Sequence, residues 1–337
     1  MARNDNMVLG KNAHKENEKQ QQESRSISDN DSSNSRSVSR VVDSIQTLEG
    51  EGFLVHRAFP SKYIEDFDPF LLLDEFGPIN LPPGEAKGAP DHPHRGFETV
   101  TYMLDGQFEH KDSQGNKGKL NPGDVQWMTA GSGVIHSEMP SKELMKSGGN
   151  FHGLQLWVNL PKKDKMIKPR YQDISSSKIP IAKTDDQNVR VKVIAGEALG
   201  AHAIIDTRTP IMYLHYTVKP GSKIVQRVPK EYNVFAYVIN GKGTFGKDNK
   251  ISAERGQMVI FRNDGDHVII GQGVNGDNNS SSTASAFVAT RDLDVLLIGG
   301  VPINEPIVRY GPFVMNTKAE VYQAISDFQT GKMGYIN

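Results

Sequence analysis

From residue 41 onward the chain is cut into short runs of Val, Ile, Phe, Tyr and Thr by Gly, Pro, Asn and Asp, a punctuation that suits strands and leaves little room for long helices. Residues 99–104 form one such run and end on Asp105-Gly106, a strong hairpin signal. Asn121-Pro122-Gly123-Asp124 is a second turn leading into residues 125–128, and residues 154–158 are a further strand. Many short strands at this spacing predict a sandwich or barrel. The second half repeats the pattern: residues 234–239 precede Asn240-Gly241, and residues 255–261 echo 122–128. The expectation is an internal duplication, with β-domains at 41–160 and 191–337 joined by a polar connection at 161–190. Residues 271–285, rich in Gly, Asn, Asp and Ser, read as a flexible loop inside the second domain. Thr317-Lys318-Ala319-Glu320 has capping-box form, and Val321, Ile325 and Phe328 follow at helical spacing up to Gly331. One short C-terminal helix is therefore predicted.

Residues 1–40 differ in composition: the stretch 11–40 is Asn, Gln, Ser, Lys and Glu with almost no large apolar residue. Such a segment cannot bury enough surface to offset its ordering entropy and is expected to be a disordered tail. Its Lys and Arg are interleaved with Asp and Glu, so no direct nucleic-acid binding is expected. The net charge of −1 points the same way. The chain has no cysteine, which excludes disulfides, thiolate zinc sites, iron–sulfur clusters and a cysteine nucleophile, and suits a reducing compartment. No run approaches the roughly 20 apolar residues of a membrane helix, and no signal peptide is visible. The expectation is a soluble monomer of the cytoplasm, or also of the nucleus in a eukaryote.

Two clusters carry chemistry. The first is Asp91-His92-Pro93-His94-Arg95-Gly96-Phe97-Glu98; the second is Gly131-Ser132-Gly133-Val134-Ile135-His136-Ser137-Glu138. In extended chain, residues i and i+2 share a face. His92 and His94 can therefore aim at one point, as can His136 and Glu138. If the two strands are neighbours, three imidazoles and one carboxylate converge, a set suited to iron, manganese, copper, nickel or zinc. Either pair alone also occurs in loops that hold no metal. Glu98 reads as a surface or supporting carboxylate, and His110 and His152 as ordinary polar or partly buried histidines. Gly131-Ser132-Gly133 is followed by no Lys-Ser or Lys-Thr, so it is not a phosphate loop. No nucleophile-elbow pattern surrounds Ser132 or Ser137. Phe97, Trp127 and Met128 are candidates either for a pocket wall or for core.

The residues 67–76, 90–100, 123–131, 136–140, 152–160, 196–200 and 310–317 together make the chain resemble the pirins, members of the cupin superfamily. The resemblance runs from about residue 42 to the C-terminus. It implies an all-β bicupin of two antiparallel barrels, with one metal in the N-terminal barrel, usually iron and here expected as Fe(II), held by His92, His94, His136 and Glu138. The second barrel departs from the pattern. Counted back from Gly241, Arg227, Pro229 and Asn233 answer to His92, His94 and Glu98, and His267 stands alone near the second motif. No metal is expected there. For function the resemblance implies two classes. One is a dioxygenase of the quercetin 2,3-dioxygenase type, opening a flavonol with O2, with Glu138 as base. The other is a redox-sensing regulator that presents a metal-dependent surface to a transcription factor or another protein partner.

Overall fold

The computed structural model describes residues 34–273 and 292–336. The disordered-tail expectation for residues 1–33 and most of the loop expectation for 271–285 lie outside these residues.

The expected strands form two barrels of matching topology, with strands numbered in chain order. In the first, a seven-stranded sheet runs β12 (Arg170–Ile174), β9 (Val125–Thr129), β6 (Phe97–Asp105), β11 (Gly149–Asn159), β4 (Phe70–Leu81), β3 (Phe53–Phe59), β2 (Ile45–Glu49). Facing it is the sheet β5 (Ala89–His94), β10 (Val134–Pro140), β7 (Phe108–Asp112), β8 (Lys117–Leu120). In the second, the larger sheet runs β1 (Val38–Asp43), β22 (Gln257–Phe261), β19 (Asn233–Asn240), β24 (Leu293–Gly300), β17 (Ile211–Val218), β14 (Val189–Ala195), β13 (Ile181–Lys183). The smaller runs β18 (Lys223–Arg227), β23 (His267–Gly271), β20 (Lys242–Phe245), β21 (Ile251–Glu254). Place by place the two orders correspond, so the duplication inferred from turn spacing is a duplication of topology. Two short hairpins, β15 (Glu197–Ala198) with β16 (Ala201–His202) and β25 (Val308–Tyr310) with β26 (Phe313–Met315), complete the strands.

The two seven-stranded sheets pack on each other. Phe59, Phe70, Tyr102, Trp127 and Leu156 from the first meet Tyr213, Phe235, Tyr237, Met258 and Ile298 from the second in one apolar core. Phe235 lies edge-on to Phe59, Phe67 and Phe70, with ring centroids 5.6, 5.3 and 5.6 Å away. The central strands of these sheets, such as β6, β9, β19 and β24, are buried on both faces, which is why they read as continuous apolar runs rather than alternating ones.

Three segments differ from the expectation. The tail does not extend to residue 40: β1 pairs with β22, and Arg36 is fully buried. Its guanidinium donates to the carbonyls of Gly265, Tyr232, Pro229 and Lys230 and to Asn263 Oδ1. These five acceptors outweigh the polar composition of the segment. The connection 161–190 is not a free linker either. It gives β12 to the first barrel and β13 to the second, so both sheets gain an edge strand. Finally, the C-terminal helix α2 (Lys318–Gln329) leaves the second barrel and packs on the first, where Ala324, Ile325 and Met333 cover Ile135. Its start is as expected: Glu320 N donates to Thr317 Oγ1 (3.2 Å) and Asn316 N to Glu320 Oε2 (3.1 Å). A second short helix, α1 (Lys142–Ser147), capped by Ser141, was not expected. Among the described residues no helix is long and apolar enough to cross a membrane.

Candidate metal centre

The β5–β10 pair brings the two motifs together. His92 stands directly opposite His136, and His94, two residues along the same strand, shares the face of His92. The imidazole centroids are 4.7 Å (His92–His94), 4.4 Å (His92–His136) and 4.8 Å (His94–His136) apart. One nitrogen from each ring lies within 4.8 Å of the others. His94 and His136 are buried, while His92 keeps partial exposure toward a cavity.

These rings fit a metal by their unmet bonding. Both nitrogens of His136 and Nδ1 of His94 are buried without a hydrogen-bond partner. Buried polar atoms seldom remain so without an ion or water. Burial, reinforced by the neighbouring His92, holds both imidazoles well below their ordinary pKa and so neutral, the form that ligates. His92 Nδ1 lies 2.7 Å from the Pro90 carbonyl and donates to it in the tautomer that leaves Nε2 free as a ligand.

Glu138 stands apart from this trio. The β10 register shifts between His136 and Glu138, and the carboxylate is engaged elsewhere. Thr101 Oγ1 is 2.8 Å from Glu138 Oε1, and Gln155 Nε2 is 3.4 Å from Oε2. Glu138 nevertheless lines the same cavity as His92 and His94. Thr101 and Gln155, on the facing sheet, were invisible to the sequence reading because nothing in their local sequence marks them.

Glu98 is not a surface carboxylate. It is fully buried on the face of β6 turned toward the second barrel, where Thr129 Oγ1 donates to it at 2.6 Å. Burial pushes its carboxyl pKa up, and Oε2 has no partner. His110 is also buried, stacked on Tyr171 and 3.4 Å from Asp173, both on β12. Gly118 leaves it room, since a Cβ there would lie 2.1 Å from His110 Nε2. His152 meets Glu75 at 2.8 Å.

The cavity above the histidines has a volume of about 770 Å³ and walls that include Phe53, Leu72, Phe76 and Trp157. Trp157 rests 5.3 Å from the His94 ring. Phe97, Trp127 and Met128 are fully buried core instead: Trp127 belongs to the inter-barrel core, and Phe97 packs behind Trp157. Both faces of these strands are buried, so the sequence could not distinguish wall from core.

Distant chain segments hold the loop that follows His94. Arg95 Nε donates to the Ser132 carbonyl (2.7 Å) and Nη1 to Asp327 of α2 (2.9 Å). Lys165 Nζ donates to the carbonyls of Gly96 and Val314 and to Asn159 Oδ1. Gly96 has φ of +89°, and a Cβ there would lie 2.0 Å from the Val314 carbonyl, so only glycine lets the C-terminal segment close on the loop.

In the second barrel Arg227 is opposite His267, the register place of His92 opposite His136, and Pro229 follows where His94 would stand. Neither arginine nor proline is a metal ligand. The interior there is filled by Leu214, Tyr216, Val234, Val238, Val268 and Ile270.

Comparison with known proteins agrees with this geometry. The structure of a quercetin 2,3-dioxygenase from Acinetobacter baumannii superposes with a TM-score of 0.78 at 37% identity, covering 90% of this chain and 99% of that one. A pirin-like protein of Solanum lycopersicum is 46% identical over 287 residues, 85% of this chain and 89% of the relative. Pirin of Homo sapiens is 42% identical over 302 residues, 89% and 95% of the two chains. Residues 52–158 match the pirin family and residues 213–334 its C-terminal cupin domain. With these matches over most of the chain, and two barrels of like topology of which one carries the histidine trio, the chain belongs to the pirin family.

Proposed function

We propose that this protein is an iron(II)-dependent dioxygenase of the quercetin 2,3-dioxygenase type, acting on a flavonol or a similar small aromatic enol with O2. The observation that carries the reading is the cluster of three imidazoles, two of which open on a largely apolar cavity that Glu138 also lines. The similarity to a protein described as a quercetin 2,3-dioxygenase supports it.

His92, His94 and His136 would hold the ion, and Glu138, which lines the same cavity though Thr101 and Gln155 engage it here, would join them as the fourth ligand. A bound iron(II) would supply Lewis acidity and redox chemistry where the three rings meet. The chain's own residues do the rest. Phe76 and Trp157 offer flat apolar surface to a planar ring system and exclude water from the floor. Glu138 faces the cavity and accepts the proton of the substrate's enolic hydroxyl. Thr101 and Gln155 keep its carboxylate aimed there when the proton has moved.

The test compares iron-loaded wild type and Glu138→Gln at equal metal content, following quercetin loss and O2 uptake. A drop of roughly 10²–10⁴-fold in the variant is expected for loss of a general base. Equal turnover would remove Glu138 as the base. No turnover of any flavonol by loaded wild type would remove that substrate class and favour the regulatory reading, in which the metal state alters a surface presented to a protein partner.

A further inference from the structure

The second barrel carries Arg227 and Pro229 where the first carries His92 and His94, and it too has a mouth. A cavity of about 810 Å³ opens there, at the end where β18 and β23 carry Arg227 and His267. Its floor is apolar: Ile205, Ile211, Met212 and Val228 are all buried beneath it. Charged and polar groups ring it, and their pairing is uneven. Glu197 is 3.2 Å from His202, and Asp266 lies 2.5 Å from His267 and 3.9 Å from Lys230. Both rim acids thus have cationic or imidazole neighbours. The Arg227 guanidinium lines the same cavity, is exposed, and makes no hydrogen bond or ion pair among the described residues.

The rim is also held in place. Buried Arg36 binds the carbonyls of Pro229, Lys230, Tyr232 and Gly265, the turns that carry Pro229, Tyr232 and Asp266 to the cavity wall. A cation without a partner, on a fixed rim above an apolar floor, is the arrangement that recognises an amphipathic anion. Where the first barrel places its metal-ligand histidines, the second places a permanent guanidinium.

We propose that the mouth of the second barrel binds a small organic monocarboxylate with an apolar body. The carboxylate sits on Arg227 and the body on Ile205, Ile211, Met212 and Val228. The charge state follows from the rim: Glu197 and Asp266 repel a dianion such as phosphate, while one guanidinium neutralises one carboxylate. The site needs no metal and is independent of the chemistry assigned to the first barrel.

The probe is 2-naphthoate, titrated calorimetrically into the full-length, metal-loaded protein, with 2-naphthamide and inorganic phosphate as comparators. Three proteins are compared: wild type, Arg227→Gln and Ala203→Phe, the last filling the cavity from its wall. Both substitutions lie outside the first barrel, so metal content and quercetin turnover serve as controls for folding. Saturable naphthoate binding is expected in wild type. Losing a charge-assisted pair should weaken it by roughly 10–100-fold in Arg227→Gln. The amide should bind more weakly than the acid by a similar factor, and Ala203→Phe should abolish the Arg227-dependent binding. Equal naphthoate affinity in wild type and Arg227→Gln would overturn the proposal, and would assign any binding to the first barrel. Amide binding as tight as acid binding, phosphate binding tighter than naphthoate binding, or no saturable binding at all would overturn it equally.

Discussion

His94 is the residue on which the candidate metal centre turns. It is buried, its Nδ1 has no partner, and it touches both other imidazoles and Trp157. His94→Ala should purify with most of its metal lost, as read by elemental analysis. Chelation should lower the thermal midpoint of wild type but not of this variant, because an ion that binds only the folded state stabilises by mass action. Full metal retention in His94→Ala would move the site elsewhere. At this scale the sequence was most informative about residues that share a strand. His92 with His94, and His136 with Glu138, were paired by i, i+2 spacing alone. It was least informative about residues whose partners lie across the barrel. Thr101 and Gln155, which hold Glu138, are ordinary strand positions until β6 and β11 face β10.

Among the elements, the connection between the barrels makes the sharpest prediction. Lys165 lies in it, and burial pushes its ammonium down to about 8. An unfolded lysine titrates near 10.4. Between about 8 and about 10.4 the unfolded chain therefore binds more protons, and this group's contribution to stability rises with pH. Lys165→Met lacks that rise and leaves the carbonyls of Gly96 and Val314 without their donor. It should cost roughly 2–4 kcal/mol in urea unfolding. The gap between wild type and variant should widen from pH 8 to pH 10; a gap independent of pH would mean the lysine titrates normally in the fold. The N-terminal strand makes a second prediction. A chain beginning at Val41 loses Arg36 and half of β1, whereas one beginning at Asn34 keeps both. The shorter chain should have a thermal midpoint lower by several degrees, since about 3 kcal/mol of buried hydrogen bonding to a charged donor is lost. Equal midpoints would show that Arg36 does not secure the strand.

At the scale of the whole molecule, each barrel is finished by the other end of the chain. β1 completes the second barrel and α2 covers the first, while the core between the large sheets belongs to both. Heat should therefore unfold the molecule in one transition, with calorimetric and van't Hoff enthalpies in agreement. A fragment spanning residues 34–186 would expose the inter-barrel face of its large sheet and lose the Arg95–Asp327 contact. It should not fold alone; a soluble fragment with native near-ultraviolet dichroism would refute this coupling.

Much of this was legible in the chain before any coordinates. Turn residues act locally, so their spacing announced short antiparallel strands, two similar halves and a capped terminal helix. The histidine cluster was legible in part for the same reason, because two-residue periodicity is a property of one strand. Three things were not. The burial of Arg36 depends on carbonyls nearly two hundred positions away or more, where composition has no say. That Trp127 of β9 is core between the barrels and not cavity wall depends on a second sheet stacked on the first. And that Glu138 leans toward Thr101 goes with a one-residue shift of register between β5 and β10, which only the closed barrel fixes.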